Sequence, residues 1–342
     1  MLGRSTLRAE TIEPQADPRW QRFVESSPTA GVFHHVEWLR LLQAQYRYPL
    51  RALCVVTGNG EIRGGVPFAE IRSRLTGTRL VAVPFSDTCG PVLARPDDEV
   101  ARCLLADEIR GEHTRTGTSI EIRAPFGDLG AGARYYRHEL ALGEGVEAGF
   151  SKDVKRCITR ARDGGVEVVR RTDGVGLDAF YRLHLLTRRR QGVPTQPKSF
   201  IARFSDLFER DLGCVLLAQW QGEPIAAAVF LAFKGVLTYK YAASDRHHLG
   251  RRPNHAILAA AIGWGCDACF HTFDFGRTDF DNDGLRAFKR SWGAEEREFH
   301  YTRLPSMGSD GAGVPKVAKT LIAHTPPITG RLVGQALYRH FG

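Results

Sequence analysis

The sequence predicts a mixed α/β chain of two similar halves, each a mixed central sheet flanked by helices. Three observations predict it. The second half reads strand, two helices, three strands, helix, strand, helix, strand, and the first half repeats that order over most of its length. Local matches sit at corresponding places: GEIRGGVPF (60–68) against GEPIAAAVF (222–230), and IEIRAPFGD (120–128) against FDFGRTDFD (273–281). The chain has 342 residues, 43% hydrophobic and 25% charged, enough for two cores at ~100–200 residues per domain.

In chain order, 6–12 is a weak strand, 18–26 and 34–46 are helices, and 50–57, 62–71 and 79–84 are strands. A helix over 97–113 and a strand over 119–123 follow. In the second half, Ser151 caps a helix to Arg162, with Val154, Cys157, Ile158 and Ala161 at helical spacing and Gly164-Gly165 as its stop. VEVVR (166–170) is a strand, and 177–191 and 198–210 are helices split by QGVPTQP. Phe200, Ile201, Phe204, Leu207 and Phe208 give the latter one apolar face. CVLLAQW, IAAAVFLAF and VLTYKYAAS are three strands joined by tight turns. The next helix starts with Pro253 in its first turn, where a missing N–H costs nothing. HTFDFGR, 284–290 and 295–303 are strand, short helix and strand. The expected domains are 1–148, 149–305 and a tail 306–342, with SMGSDGAGVP as a connector and GRLVGQALYRHFG as an amphipathic helix.

The formal net charge of +9 comes from 47 Lys+Arg against 38 Asp+Glu. Such a surface suits anionic partners: nucleotides, phosphorylated carriers, tRNA or an anionic membrane face, although a basic solvated surface has the same composition. The seven cysteines are scattered and odd in number, which fits reduced thiols. The first twenty residues lack the apolar core of a signal peptide, and no run approaches a membrane span. The expectation is a soluble, cytoplasmic protein.

Several segments together resemble the FemAB-like peptidyltransferases and acetyltransferase-like relatives of the GNAT superfamily. SKDVKRCITRARDGGVEV is similar to the basic helix and glycine turn that open the second domain there. TRRRQGVPTQP resembles the family's T-x-x-R-x-G-x-P, RRPNHAIL its P-N-x-x-L, and DFGRTDFDNDGLRAFKRSWGAE its D-F-G-R-S…G…F-K-x-x-W-G, with Thr278 for the usual serine. The pattern is most similar to the bacterial group associated with exosortase and polysaccharide systems. The clear matches cover 151–304; the first half matches by topology. The resemblance implies tandem GNAT-like domains, the N-terminal one degenerate. It also implies transfer of an acyl or aminoacyl group to an amine, with acyl-CoA or aminoacyl-tRNA as co-substrate and no covalently bound cofactor. The chain departs from the family in lacking the coiled-coil arm of some Fem proteins and a clean Q/R-x-x-G-x-G/A loop.

Acyl transfer needs a polarised carbonyl and a stabilised oxyanion. By resemblance, Lys289 is the steadying cation, beside Phe288 at the cleft edge; as a plain reading, Arg286, Lys289 and Arg290 form a basic turn. Strand alternation puts Asp274 and Gly276 on one face and Phe273, Phe275 and Arg277 on the other. Asp274 and Arg277 are thus either site residues or a structural ion pair. Arg251, Arg252 and Asn254 form a basic helix start suited to an anion. Lys152, Lys155 and Arg156 lie on a helix whose cations track phosphates or simply face water. Tyr239, Tyr241 and Arg188 complete the expected binding residues.

No metal is expected. Asp279, Asp281, Asp283 and Gly284 begin like a calcium loop, but its twelfth position is Arg290. Cys266 and Cys269 lack a partner pair, and adjacent histidines point apart. The expected function is aminoacyl or acyl transfer onto an amine of a cell-envelope or polysaccharide precursor. The alternatives are an acyl-CoA-dependent N-acyltransferase on a sugar or small-molecule amine, and a non-catalytic anion- or tRNA-binding protein. Peripheral membrane contact is compatible with the charge; DNA is not an expected partner.

Overall fold

The computed structural model describes residues 7–73, 77–306 and 338. Of the tail expected after 305, only residue 306 and Tyr338 fall among them. The first half contains β1 (Arg8–Ile12), α1 (Pro18–Ser26), α2 (Val36–Tyr46), β2 (Leu50–Val56), β3 (Ile62–Ser73), β4 (Gly77–Val81), β5 (Val92–Leu93), α3 (Glu99–Thr116) and β6 (Ser119–Ile122). α2 begins later than the sequence predicts, because the His35 ring accepts the Glu37 N–H at 3.2 Å and caps it. β4 ends at Val81, ahead of Val83 and Phe85, which take positive φ of 55° and 62°.

β7 (Ala131–Ala141) has no counterpart in the sequence reading. AGARYYRHELA buries only His138 and Leu140, so it shows no sustained alternation. Then come α4 (Lys152–Asp163), β8 (Val166–Arg171), α5 (Gly174–Gln191), α6 (Lys198–Ala202), α7 (Phe204–Phe208), β9 (Gly213–Trp220), β10 (Glu223–Phe233), β11 (Val236–Ser244), α8 (Pro253–Asp267), β12 (Thr272–Asp279), α9 (Asp283–Arg290) and β13 (Glu295–Leu304). The single helix expected over 198–210 is two pieces divided at Arg203, and its five apolar residues are all buried.

The chain folds as two units. The first takes its described residues from Met1–Arg134 and Phe299–Gly311, the second from Tyr135–Glu298 and Tyr338. The boundary expected at 148/149 lies inside the second unit, since β7 residues from Tyr135 onward pair with β12. In the first unit the strand order is β1-β2-β3-β4-β6-β13. All pairs are antiparallel except β4 with β6, which runs parallel over Arg79–Val81 and Ser119–Glu121. Its core joins Leu53, Val66, Phe68 and Leu80 to Leu105 and Ile109 of α3.

In the second unit the order is β7-β12-β11-β10-β9-β8. Again one pair is parallel, β11 with β12. Ile257, Leu258, Ala261 and Ile262 of α8 pack on Phe230, Phe273 and Trp292. In each unit one strand pairs in parallel with the strand that follows a long helix, β4 with β6 and β11 with β12. The two sequence matches therefore occupy equivalent strands, β3 with β10 and β6 with β12.

Candidate active site

The parallel pair in the second unit is short. β11 and β12 are in register only over Val236–Thr238 and Thr272–Asp274. β11 continues to Ser244 and β12 to Asp279, so each strand carries main-chain groups past its last partner in the other. β11 is also bulged: Val229 opposes Tyr241 and Phe230 opposes Tyr239, leaving Lys240 without an opposite number on β10. The bulge aims the two tyrosines differently. Tyr239 meets Phe230 at 5.4 Å between ring centroids, within the core beneath α8. Tyr241 meets Phe180 and His184 of α5 and Phe204 of α7 at 6.4, 6.0 and 6.0 Å.

β12 is bulged as well, across the DFGR segment. Asp274 opposes Glu139 and Arg277 opposes Arg137, so Phe275 and Gly276 together face His138. Gly276 has φ of 70°, which favours glycine. The simple alternation expected along this strand stops there. Asp274 is buried; its Oδ1 accepts the Gly276 N–H at 2.8 Å and its Oδ2 accepts from Arg137 Nη2 at 3.3 Å. Lys289 Nζ donates to the carbonyls of Gly276 and Arg277 at 2.8 and 3.2 Å, and the residue is 3% exposed. Asp274 and Lys289 thus hold the two sides of one bulge. The guanidinium of Arg277 lies 4.2 Å over the Tyr135 ring.

The residue across the bulge, His138, is fully buried and absent from the sequence reading. Its Nε2 lies 2.9 Å from Glu296 Oε2, and Thr278 Oγ1 lies 3.5 Å from its Nδ1. Glu296 is clasped by Arg286 at 2.9 and 3.1 Å, and Arg290 lies 3.4 Å from it. The Arg286 hydrogen bonds hold the Glu296 carboxyl down at about 2. An ionised carboxylate only accepts, so Nε2 of His138 carries the proton and Nδ1 is left to accept from Thr278. Burial first, and then the charge of Lys289, holds the His138 imidazole below its ordinary range. The face of α9 bearing Arg286, Lys289 and Arg290 is therefore bound to the strands beneath it. The sequence signal for this array is the spacing of 286, 289 and 290 on one helical face; His138 and Glu296 carried none.

Other expected residues are placed as follows. Phe288 packs on His255 and Trp292, at 5.6 and 6.4 Å between ring centroids. Arg188 donates to the Pro194 carbonyl at 3.0 Å and to the Tyr338 hydroxyl at 2.7 Å. Arg252 takes the left-handed conformation at the cap of α8, φ 59°, with a buried Nε that has no hydrogen-bond partner. Asn254 sits in the first turn of α8, while Arg251 turns away to lie 3.4 Å over the Trp220 ring at the end of β9. Lys152, Lys155 and Arg156 are exposed on α4; Arg156 pairs with Asp153 at 2.8 Å, and Lys155 donates to the Ala148 carbonyl at 3.5 Å. In the acidic stretch before α9, Asn282 caps the helix and Asp283 pairs with Arg286. No cluster of metal-binding side chains occurs among the described residues.

His184 was likewise unforeseen. It is buried on α5 with Nε2 2.7 Å from Gln196 Oε1, and burial lowers it to about 4. A histidine depressed in the folded state contributes stability that is present above its unfolded value of about 6.5 and is lost as pH falls toward the folded value. Between pH 7 and 5 this one group is expected to remove roughly 2 kcal/mol. Thermal melts of wild type and His184→Gln across that range check it: the wild-type curve falls more steeply, and parallel curves overturn the assignment.

With this geometry in hand, a family model described as an acetyltransferase (GNAT) domain matches residues 148–290. Residues 148–290 thus match a GNAT acyltransferase domain. The matched span runs from just before α4 to the end of α9, so the GNAT domain contains the parted strands, both bulges and Lys289. Among solved structures, FemX is similar over 86% of this chain and 96% of its own, at 17% identity and a TM-score of 0.66. The C-terminal domain of a putative lysylphosphatidylglycerol synthetase from Agrobacterium fabrum covers 92% of this chain and 95% of its own, at 13% identity and 0.55. L-PGS from Bacillus licheniformis covers 97% and 99%, at 12% identity and 0.54. Identities this low speak for the fold. No curated protein matches the sequence. The GNAT part of the resemblance thus holds over residues 148–290, and the fold is similar to that of FemX. No described helix is long and apolar enough to cross a membrane.

Proposed function

We propose that this acyltransferase moves an aminoacyl or acyl group onto an amine of a cell-envelope or polysaccharide precursor, in the cytoplasm. The observation that carries the reading is the parting of β11 and β12 after Thr238 and Asp274, with a bulge on each strand and the Lys289 ammonium bound to one of them. Main-chain N–H groups beyond the last pair can polarise a donor carbonyl laid between the strands. The acceptor amine attacks that carbonyl; the new C–N bond forms as the ester C–O or thioester C–S bond breaks, and the amine proton ends on the leaving group. Lys289 steadies the oxyanion, Asp274 keeps the bulge in shape, and Arg277 faces an acidic group of donor or acceptor. Tyr239, Tyr241, Phe288 and Arg188 shape the cleft walls. Arg252 and Asn254 at the start of α8 hold the donor's phosphate, while Arg251, Lys152, Lys155 and Arg156 extend the basic surface around it.

The names of the similar structures, FemX and two lysylphosphatidylglycerol synthetases, support an aminoacyl donor. The name of the matching domain supports acyl-CoA instead. A donor screen decides between them: aminoacyl-tRNAs and acyl-CoAs, each tested for binding and for transfer to amine acceptors. Transfer from one class and not the other assigns the donor. Binding without transfer to any amine supports a non-catalytic anion-binding protein, and failure of every donor to bind overturns the proposal.

A further inference from the structure

The strand beside the parted pair brings a second carboxylate to the place where the strands part. Asp274 is the last residue of β12 in register with β11, where it meets Thr238. On its other side Asp274 opposes Glu139 of β7. Residues directly opposite on neighbouring strands present their side chains to one face, with Cβ atoms ~5 Å apart. Phe273 and Leu140 belong to the core on which α8 packs, so alternation turns Asp274 and Glu139 to the other face of the sheet. Glu139 thus stands one strand away from the point where the transfer reading lays the donor carbonyl.

The two carboxylates are held differently. Asp274 is buried and both its oxygens are engaged, one by the Gly276 N–H and the other by Arg137 Nη2. Glu139 gives only Oε1 to the same Nη2, at 2.7 Å, and its side chain is 31% exposed. Among the described residues, no hydrogen bond or ion pair reaches its Oε2. Arg137 supplies one positive charge against these two carboxylates. The other charged groups that act on Glu139, Glu295 and Arg297 of β13, are paired with each other at 2.9 Å and add no net charge. Burial raises the Glu139 carboxyl above its ordinary range; Arg137 opposes that shift, and the Asp274 charge adds to it.

A carboxylate with one oxygen fixed and the other free is oriented to receive a proton, and a raised carboxyl is a stronger base than an ordinary one. We infer that Glu139 is the proton carrier of the transfer, a catalytic residue that Arg137 positions. As the acceptor nitrogen bonds to the donor carbonyl carbon, Oε2 takes one proton from that nitrogen. The carboxyl then gives the proton to the ester oxygen or thioester sulfur as its bond to carbon breaks, so Glu139 ends as the carboxylate it began as. The inference rests on the acyl-transfer reading and deepens it, since that reading leaves the path of the proton open.

Glu139→Gln tests it in the full chain, with the donor found by screening. The amide keeps the shape and still offers Arg137 an acceptor, and thermal melting verifies the fold. Turnover is expected to fall by about 10²–10³-fold with KM little changed, and Glu139→Asp, which keeps a carboxylate, is expected to restore part of it. Glu167→Gln, an exposed carboxylate of β8 at the far end of the strand order, leaves turnover unchanged. A pH profile separates chemistry from structure. Every form loses rate on the acid side as the acceptor amine protonates; the wild-type limb steepens further where Glu139 takes up its proton, and Glu139→Gln loses that break. Transfer that survives Glu139→Gln, or that falls only with the folded fraction and keeps the break, overturns the inference and leaves the transfer reading standing. A wild-type chain that transfers no group from any donor overturns both.

Discussion

Lys289→Ala is expected to reduce acyl transfer by roughly 10²–10³-fold and to destabilise the fold by about 2–4 kcal/mol. Both effects follow from its position. The ammonium is buried and donates to two carbonyls at the β12 bulge. Truncation leaves those carbonyls without a charged donor, and a buried acceptor stripped of its partner costs its full desolvation penalty. If the same ammonium steadies the oxyanion, transfer falls further than the loss of folded protein explains. Lys289→Met keeps most of the volume and removes the ammonium, so it separates lost packing from the lost charged donor. Denaturant unfolding gives the stability change, and turnover with the donor found by screening gives the catalytic one. Turnover that drops only in proportion to the folded fraction assigns Lys289 to holding the bulge and removes it from the chemistry.

Trp292→Ala is expected to be the most destabilising single change in the F-K-x-x-W-G segment, at about 3–5 kcal/mol. The indole is fully buried and meets Phe150, His255 and Phe288 at 5.1, 5.8 and 6.4 Å between ring centroids. It fills space in the core that α8 packs on, and removing it leaves a cavity there. Its Nε1 has no hydrogen-bond partner, so Trp292→Phe, which deletes that buried N–H, is expected to cost far less than the alanine change. Urea unfolding of the two variants measures the contrast. Equal losses in both show that the emptied volume is not what lowers the stability.

These variants mark how much of the site was legible in the sequence. The F-K-x-x-W-G and D-F-G-R segments announced themselves by residue type. Their geometry did not. Strand alternation put Asp274 and Arg277 on opposite faces of one regular strand, whereas the bulge at Phe275–Gly276 ends that regularity and turns Asp274 inward to the Gly276 N–H. The basic turn of Arg286, Lys289 and Arg290 had a solvated face as its plain alternative, yet Lys289 is among the buried residues and Arg286 is clasped to Glu296. Arg251 and Arg252 are neighbours in sequence and read as one anion-binding pair. A left-handed residue at the cap of α8 sends their side chains apart, one onto Trp220 and the other into partial burial.

The sequence by itself determined most of the element order, though not β5 or β7, the doubling of that order in two halves, and, through the resemblance, the acyltransferase class of the second. Those features rest on local periodicity, on caps and breakers, and on segments whose residue types stay contiguous. Only the tertiary structure decided that β7 exists as a strand, because its burial is set by β12 beside it and not by its own pattern. Only it brought His138, Thr278, Glu296 and Arg286 into one array, since these residues come from β7, β12, β13 and α9. Bulges, ion-pair partners and the direction of a long side chain depend on contacts between distant segments, and periodicity within a segment carries no record of them.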